Sequence, residues 1–208
     1  MFPENLKKVL NYLNKIGKMK ANSGHEDGRV NSISDEDDII KLLVDKFGEN
    51  NIELQPPREW YDVRIYGIPC QIKSSDFIKG ASDNFSSKLA ILYAFTDLDE
   101  EELKSGTSTW KGWQNKLLEH RNDNNNRDYY ILVFDKSTGN FHLQSLKMLK
   151  KLTPNGNNLP FQIKWKDNVD PVLRTGTEAY NFVIDIYAQS VEKKRNSHDG
   201  YEKLLLQG

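Results

Sequence analysis

Along the first fifty residues the apolar positions recur at helical spacing. Leu6, Val9, Leu10, Leu13 and Ile16 fall three or four apart, which predicts an amphipathic helix over 4–19, loosened near Gly17. The polar, glycine-containing stretch ANSGHEDGR (21–29) predicts a loop. Ser34, with Asp37 three residues on, predicts an N-cap close to a capping box, and the helix it opens runs to about Phe47, where Gly48 ends it. NIEL (51–54) predicts a short strand, and Pro56 with Pro57 breaks the chain. The period then changes from that of a helix to that of a strand. Trp60–Tyr66 and Cys70–Ser74 alternate about a Gly67–Ile68–Pro69 turn, which predicts a β-hairpin.

Beyond the hairpin, NFSSKLAILYAFT (84–96) is apolar enough for a buried helix, with a strand over 89–95 as the alternative. DLDEEELKSG reads as an acidic connection. Trp110, Trp113 and Leu117 stand at helical spacing, and NDNNNR (122–127) as a surface loop. YYILVF (129–134) predicts a buried strand, turned by STGN into a second strand, FHLQSL (141–146); FQIKW (161–165) predicts another. Residues 177–194 predict a late helix with Val183, Ile186, Tyr187 and Val191 inward. The order of helices, hairpin, helix, strands and helix predicts a mixed α/β or α+β fold. With no internal repeat and no clean linker, 1–208 reads as one domain.

Composition narrows the class. Hydrophobic residues make up 37% and aromatics 11% of the 208, enough to pack a core and too many for a disordered chain. No stretch approaches the roughly 20 apolar residues of a membrane span. The N-terminus lacks the apolar segment of a secretory signal, and the one cysteine, Cys70, excludes an internal disulfide. These features predict a cytoplasmic protein without membrane partners. The net charge of −1 means that any contact with nucleic acid must come from local basic patches. No phosphate-cradling glycine loop and no zinc-type cysteine spacing is present, which removes nucleotide-driven and zinc-dependent readings.

The hairpin carries the candidate chemistry. Alternation places Tyr61, Val63, Ile65 with Cys70, Ile72 and Ser74 on one apolar side, and Asp62 with Gln71 and Lys73 on the other. Phosphodiester hydrolysis uses such a set. A hard cation such as Mg²⁺ takes oxygen ligands, which the Asp62 carboxylate, the Gln71 amide and the Ile72 carbonyl supply. Lys73 suits stabilisation of an attacking hydroxide or of charge developing on phosphorus. On the preceding helix Glu36 aligns with Ile40, Leu43 and Phe47 on the inward face, where a charge needs a partner. It either approaches the metal or complements the helix dipole. An Asp62–Lys73 ion pair on an ordinary wet hairpin face is the non-catalytic alternative.

A helix with a Glu, a strand with an Asp and a strand with acid-x-Lys is the pattern that Glu36, Asp62 and Gln71–Ile72–Lys73 resemble: the PD-(D/E)XK nuclease superfamily and, within it, type II restriction endonucleases, loosely the blunt-cutting EcoRV-type branch. DGRVNSISDEDDIIKLL (27–43) also resembles the loop and helix entry of several such enzymes. The chain departs from the pattern at Gln71, where the family has an acid, and at Tyr61, where it has Pro. The resemblance covers about residues 24–76. It implies a restriction-endonuclease-like mixed central β-sheet flanked by helices, a catalytic core over about 24–96, and recognition and dimer elements in 97–196. It also implies Mg²⁺, cleavage of double-stranded DNA to 5′-phosphate and 3′-hydroxyl ends, a homodimer, and a cognate DNA methyltransferase acting separately.

In that light further residues become candidates for DNA contact. Arg29 and Asn31 precede the Glu36 helix; Ser74, Ser75 and Lys79 follow Lys73. Ser108, Thr109 and Lys111, then Asn124 and Asn125, then Asn157 lie in polar loops of the kind that reach base edges and phosphates. His25, His120, His142 and His198 show no ligand spacing, Cys70 reads as a small core residue, and Trp110 and Trp113 as core or subunit contact. A structure-specific repair or resolvase-type nuclease, and a non-catalytic binding module, remain the alternatives.

Overall fold

A computed structural model describes residues 1–16, 28–56 and 59–205, with the backbone alone for 28–33 and 198–205. Helix α1 (Glu4–Lys15) forms where the spacing predicts it and buries Leu6, Val9 and Leu13. Helix α2 (Gly28–Phe47) begins six residues before the predicted cap, so Ser34 lies inside it. Its buried face is Asp35, Ile39 and Leu43, one residue out of phase with the face drawn through Glu36. Gly48, at φ 81°, ends the helix as predicted.

Strand β1 (Ile52–Leu54) leads into β2 (Val63–Ile65) and β3 (Ile68–Ser75). The hairpin turns on Tyr66 and Gly67, both at positive φ (51° and 75°), the type I′ geometry that suits the strand twist. Ile68 and Pro69 therefore belong to the strand and not to the turn. Trp60 and Tyr61 leave the alternation: both join the same core, with Tyr61 off the Val63 face. The chain continues through β4 (Asp83–Phe85), α3 (Lys88–Phe95), α4 (Glu100–Lys104), α5 (Trp110–Glu119), β5 (Tyr130–Asp135), β6 (Asn140–Ser145), β7 (Thr153–Pro154), β8 (Phe161–Ile163) and α6 (Gly176–Leu205). The predicted acidic connection is in part α4, opened by a reciprocal Asp99–Glu102 capping box. On α6 Val191 is exposed, and Ser190 takes the inward position.

The central sheet has the order β1-β2-β3-β5-β6, with β3 and β5 parallel and the other pairs antiparallel. A smaller sheet, β4-β8-β7, stands beside it. Helices cover both faces. Tyr130, Leu132 and Phe134 of β5 pack with Cys70, Ile72 and the α1 and α2 side chains. Ile131 and Val133 point the other way, into the core of α3, α5, α6 and the small sheet. Burial on both faces explains why β5 reads as an unbroken apolar run. The fold is mixed α/β with a mixed central sheet flanked by helices. Since β5 and β6 come from the second half of the chain, residues 24–96 do not complete the sheet that holds the hairpin.

Candidate functional site

Strand β3 outruns its partner. Val63 pairs with Cys70, so the part of β3 from Gln71 onward has no β2 residue beside it. Two carboxylates occupy that edge. The Asp62 N–H donates to the Cys70 carbonyl at 3.0 Å, and its Oδ2 accepts from the Ile72 N–H at 2.8 Å. Glu36 Oε1 accepts from the Ser74 N–H at 3.3 Å, and both Glu36 oxygens accept from Lys73 Nζ at 3.3 Å. On the opposite edge the Ser75 carbonyl accepts from the N–H of Lys136, the residue after β5. Alternation therefore turns the Ile72 carbonyl to the same edge as its N–H, between the two carboxylates.

A buried brace fixes α2 against this edge. Asp35 is fully buried, accepts from Ser74 Oγ at 2.8 Å and lies 3.0 Å from Lys136 Nζ. That holds the helix in the phase that swings Glu36 over the strand end. Sequence reasoning placed the inward carboxylate at 36 and overlooked 35; taking the helix phase from Ile39 and Leu43 would have found it. Glu36 is half-buried rather than inward, and it meets Lys73 as the paired charge required.

The site's charges are poorly solvated. Burial raises the Glu36 carboxyl, Lys73 opposes that rise, and the Asp62 charge adds to it. Burial likewise raises Asp62, against Lys73 and the Ile72 N–H. Two carboxylates thus share one ammonium and leave a negative charge uncompensated. Asp83, which sequence reasoning did not single out, is raised by burial and lowered by the Trp165 indole N–H, by Lys73 and by Lys136. Among the described residues no three Asp, Glu, His or Cys side chains are arranged to hold a metal ion. The donors available for a cation are two carboxylates and two neutral oxygens, the Gln71 amide and the Ile72 carbonyl.

Asp62 and Gln71 open onto a cleft of about 540 Å³, also lined by Trp60, Ser86, Lys88 and a Glu59–Lys104 pair. The β2–β3 pairing ends at Val63 opposite Cys70, and Asp62, just before β2, is tied to β3 through the Cys70 carbonyl and the Ile72 N–H on either side of Gln71. Lys73 reaches Glu36, and Arg64 pairs with Glu100 instead of Asp62.

The other predicted contacts divide. The side chains of Arg29 and Asn31, and His25, lie outside the described residues. Ser74 and Ser75 are buried, and the Ser74 hydroxyl is committed to Asp35, because alternation carries Ser74 to the Ile72 side of the strand. Neither is open to a phosphate. The Thr109 hydroxyl caps α5 by accepting from the Gly112 N–H, and Asn125 is tied to the Thr96 carbonyl and Lys147. Lys79, Ser108, Lys111, Asn124 and Asn157 are exposed. Trp113 is core and Trp110 stacks on Tyr187; Cys70 is buried, which pushes its thiol up. Among the described residues no helix is long and apolar enough to cross a membrane. Comparison of the chain with protein-family models, with curated proteins and with solved structures gives no significant match.

Proposed function

We propose that the protein is a Mg²⁺-dependent endonuclease of double-stranded DNA, of the type II restriction class and the PD-(D/E)XK kind. One observation carries the reading. Glu36 comes from α2, Lys73 from β3 and Asp62 from the bend just before β2, and they meet at the free edge of β3 beside the Ile72 carbonyl. The donor set fits the ion. All its atoms are oxygen, as a hard cation requires, and the surplus negative charge favours a cation over a neutral ligand. Asp62, Gln71 and the Ile72 carbonyl are the residues to hold it, with Glu36 in support. When bound, the ion supplies Lewis-acid polarisation of the phosphate and a water of lowered pKa.

The chain's own groups do the remaining work. The Ile72 N–H holds Asp62 at 2.8 Å, which fixes the carboxylate for its task. Lys73 presents a compact positive charge where an oxyanion develops on phosphorus, already oriented by Glu36. The cleft beside Asp62 and Gln71 admits the backbone of a strand. A homodimer whose two sites cut the two strands, and a methyltransferase that protects the host's own sites, complete the proposal.

The test is incubation of the purified protein with Mg²⁺ and long unmethylated DNA beside the Lys73→Ala protein. Discrete fragments from the wild type alone support a restriction enzyme. A smear, or cutting of branched DNA only, supports the repair or resolvase-type alternative. No cutting with any divalent ion overturns the nuclease reading and leaves Glu36–Lys73 as a structural brace.

A further inference from the structure

Lys88 is the first residue of α3, and it carries its charge at the positive end of a helix dipole with no acidic neighbour in that turn. The positive end of a helix dipole favours acidic groups, yet the first turn of α3 contains none. Burial lowers the Lys88 ammonium below its ordinary range. Among the described residues no carboxylate lies within ion-pairing distance of it. Its Nζ donates instead to the carbonyls of Thr107 at 2.7 Å and Ser108 at 3.1 Å, and sits 5.1 Å from the centre of the Trp110 ring. An ammonium has three N–H bonds, so one is left to donate. Local conflicts of this kind concentrate at functional sites.

The place of Lys88 decides what relieves the conflict. It lines the same cleft as Asp62 and Gln71. Ser86 lines the same cleft and is exposed, while the neighbouring Ser87 hydroxyl is committed to capping α3 and to the Trp60 carbonyl. The other lysine of the cleft, Lys104, is paired with Glu59. One cation in the cleft is thus without an acidic partner, and it is held still by two carbonyls.

We propose that Lys88, with the Ser86 hydroxyl, binds a backbone phosphate of the DNA strand lying in this cleft, next to the phosphate presented to Asp62 and Lys73. The inference rests on the nuclease reading and deepens it: it names the contact that sets the strand's register against the site. The carbonyls of Thr107 and Ser108 act as a mount, which gives the 105–109 loop between α4 and α5 a role in positioning the lysine.

The test uses the Lys73→Ala protein, which leaves DNA whole, and the same protein carrying Lys88→Gln or Lys88→Arg. Binding of a fluorescent duplex is followed by anisotropy over a salt series. Lys88→Gln is expected to weaken binding about tenfold at low salt and to reduce the slope of log K against log salt by about 0.9, the loss of one phosphate contact. Lys88→Arg keeps the slope. An unchanged slope with Lys88→Gln, whatever happens to its melting temperature, overturns the proposal while the DNA reading stands. Failure of the Lys73→Ala parent to bind duplex at all overturns both.

Discussion

Replacing Lys73 by Met removes the one ammonium shared by Glu36 and Asp62 and keeps most of the side-chain volume. At 3.3 Å and an effective dielectric near 20, a unit charge pair is worth about 5 kcal/mol. The lysine and glutamate side chains keep 24% and 22% of their surface in water, so screening and the cost of ordering them reduce the net loss to about 2 kcal/mol at neutral pH. A domain with an ordinary margin of stability tolerates that and remains folded. The sign with pH follows from the carboxyls. Burial already holds Glu36 and Asp62 above their ordinary values of 4.5 and 3.8, with Lys73 opposing; its removal raises both further. The folded protein then binds more protons than the unfolded chain, and its stability falls as pH rises from those ordinary values through the raised ones. The deficit of Lys73→Met is therefore largest at pH 7 and shrinks toward about pH 4. Urea unfolding of both proteins at several pH values measures it. An equal deficit at every pH refutes the reasoning, because it means that Lys73 does not compensate the two carboxylates.

Two further outcomes are expected. Gln71→Glu restores a third acidic donor beside Asp62, and it should lower the Mg²⁺ concentration for half-maximal thermal stabilisation about tenfold, read from melting curves over a metal titration; an unchanged midpoint removes residue 71 from the ligand set. Burial pushes the Asp128 carboxyl up to about 6 from 3.8, against hydrogen bonds from the Ser145 hydroxyl and the N–H groups of Lys147 and Tyr129. Its protonated form favours the fold, so stability falls between about pH 4 and pH 6, and Asp128→Asn should flatten that fall by about 3 kcal/mol, whereas an unaltered pH profile in denaturant melts rejects the assignment.

What the sequence made legible follows from the range of the interactions. Gln71 and Lys73 share a side of β3 because alternation is local, whereas the turn was read as Gly67–Ile68–Pro69 and Asp62 lies just outside β2, tied to the Ile72 N–H. The same alternation puts Ser74 on the Ile72 side, so its burial was readable, and only its nearness to Lys73 made it look like a phosphate contact. The helix phase was misread by one residue because Ile40 is as apolar as Ile39 and Leu43 fits either face; choosing between them needs the partner surface, here Ser74 and Lys136, which no helical pattern contains. The parallel pairing of β3 with β5, whose partners stand sixty residues apart, was invisible for a related reason. An apolar run announces a buried strand and says nothing of its neighbour.

That long-range pairing also bears on which reading of the hairpin holds. An isolated wet hairpin would leave the Ile72 and Ser74 N–H groups to water, and its charges would find partners on the same two strands. Here β5 occupies one edge of β3, β2 stops short on the other, and carboxylates from two different elements close the gap while the Ile72 carbonyl lies between them. A brace needs one carboxylate and one ammonium. Two half-buried carboxylates around one ammonium cost desolvation energy that a brace does not need. The surplus charge is stable only with a further cation or a raised proton affinity, and burial already raises the proton affinity of both carboxyls.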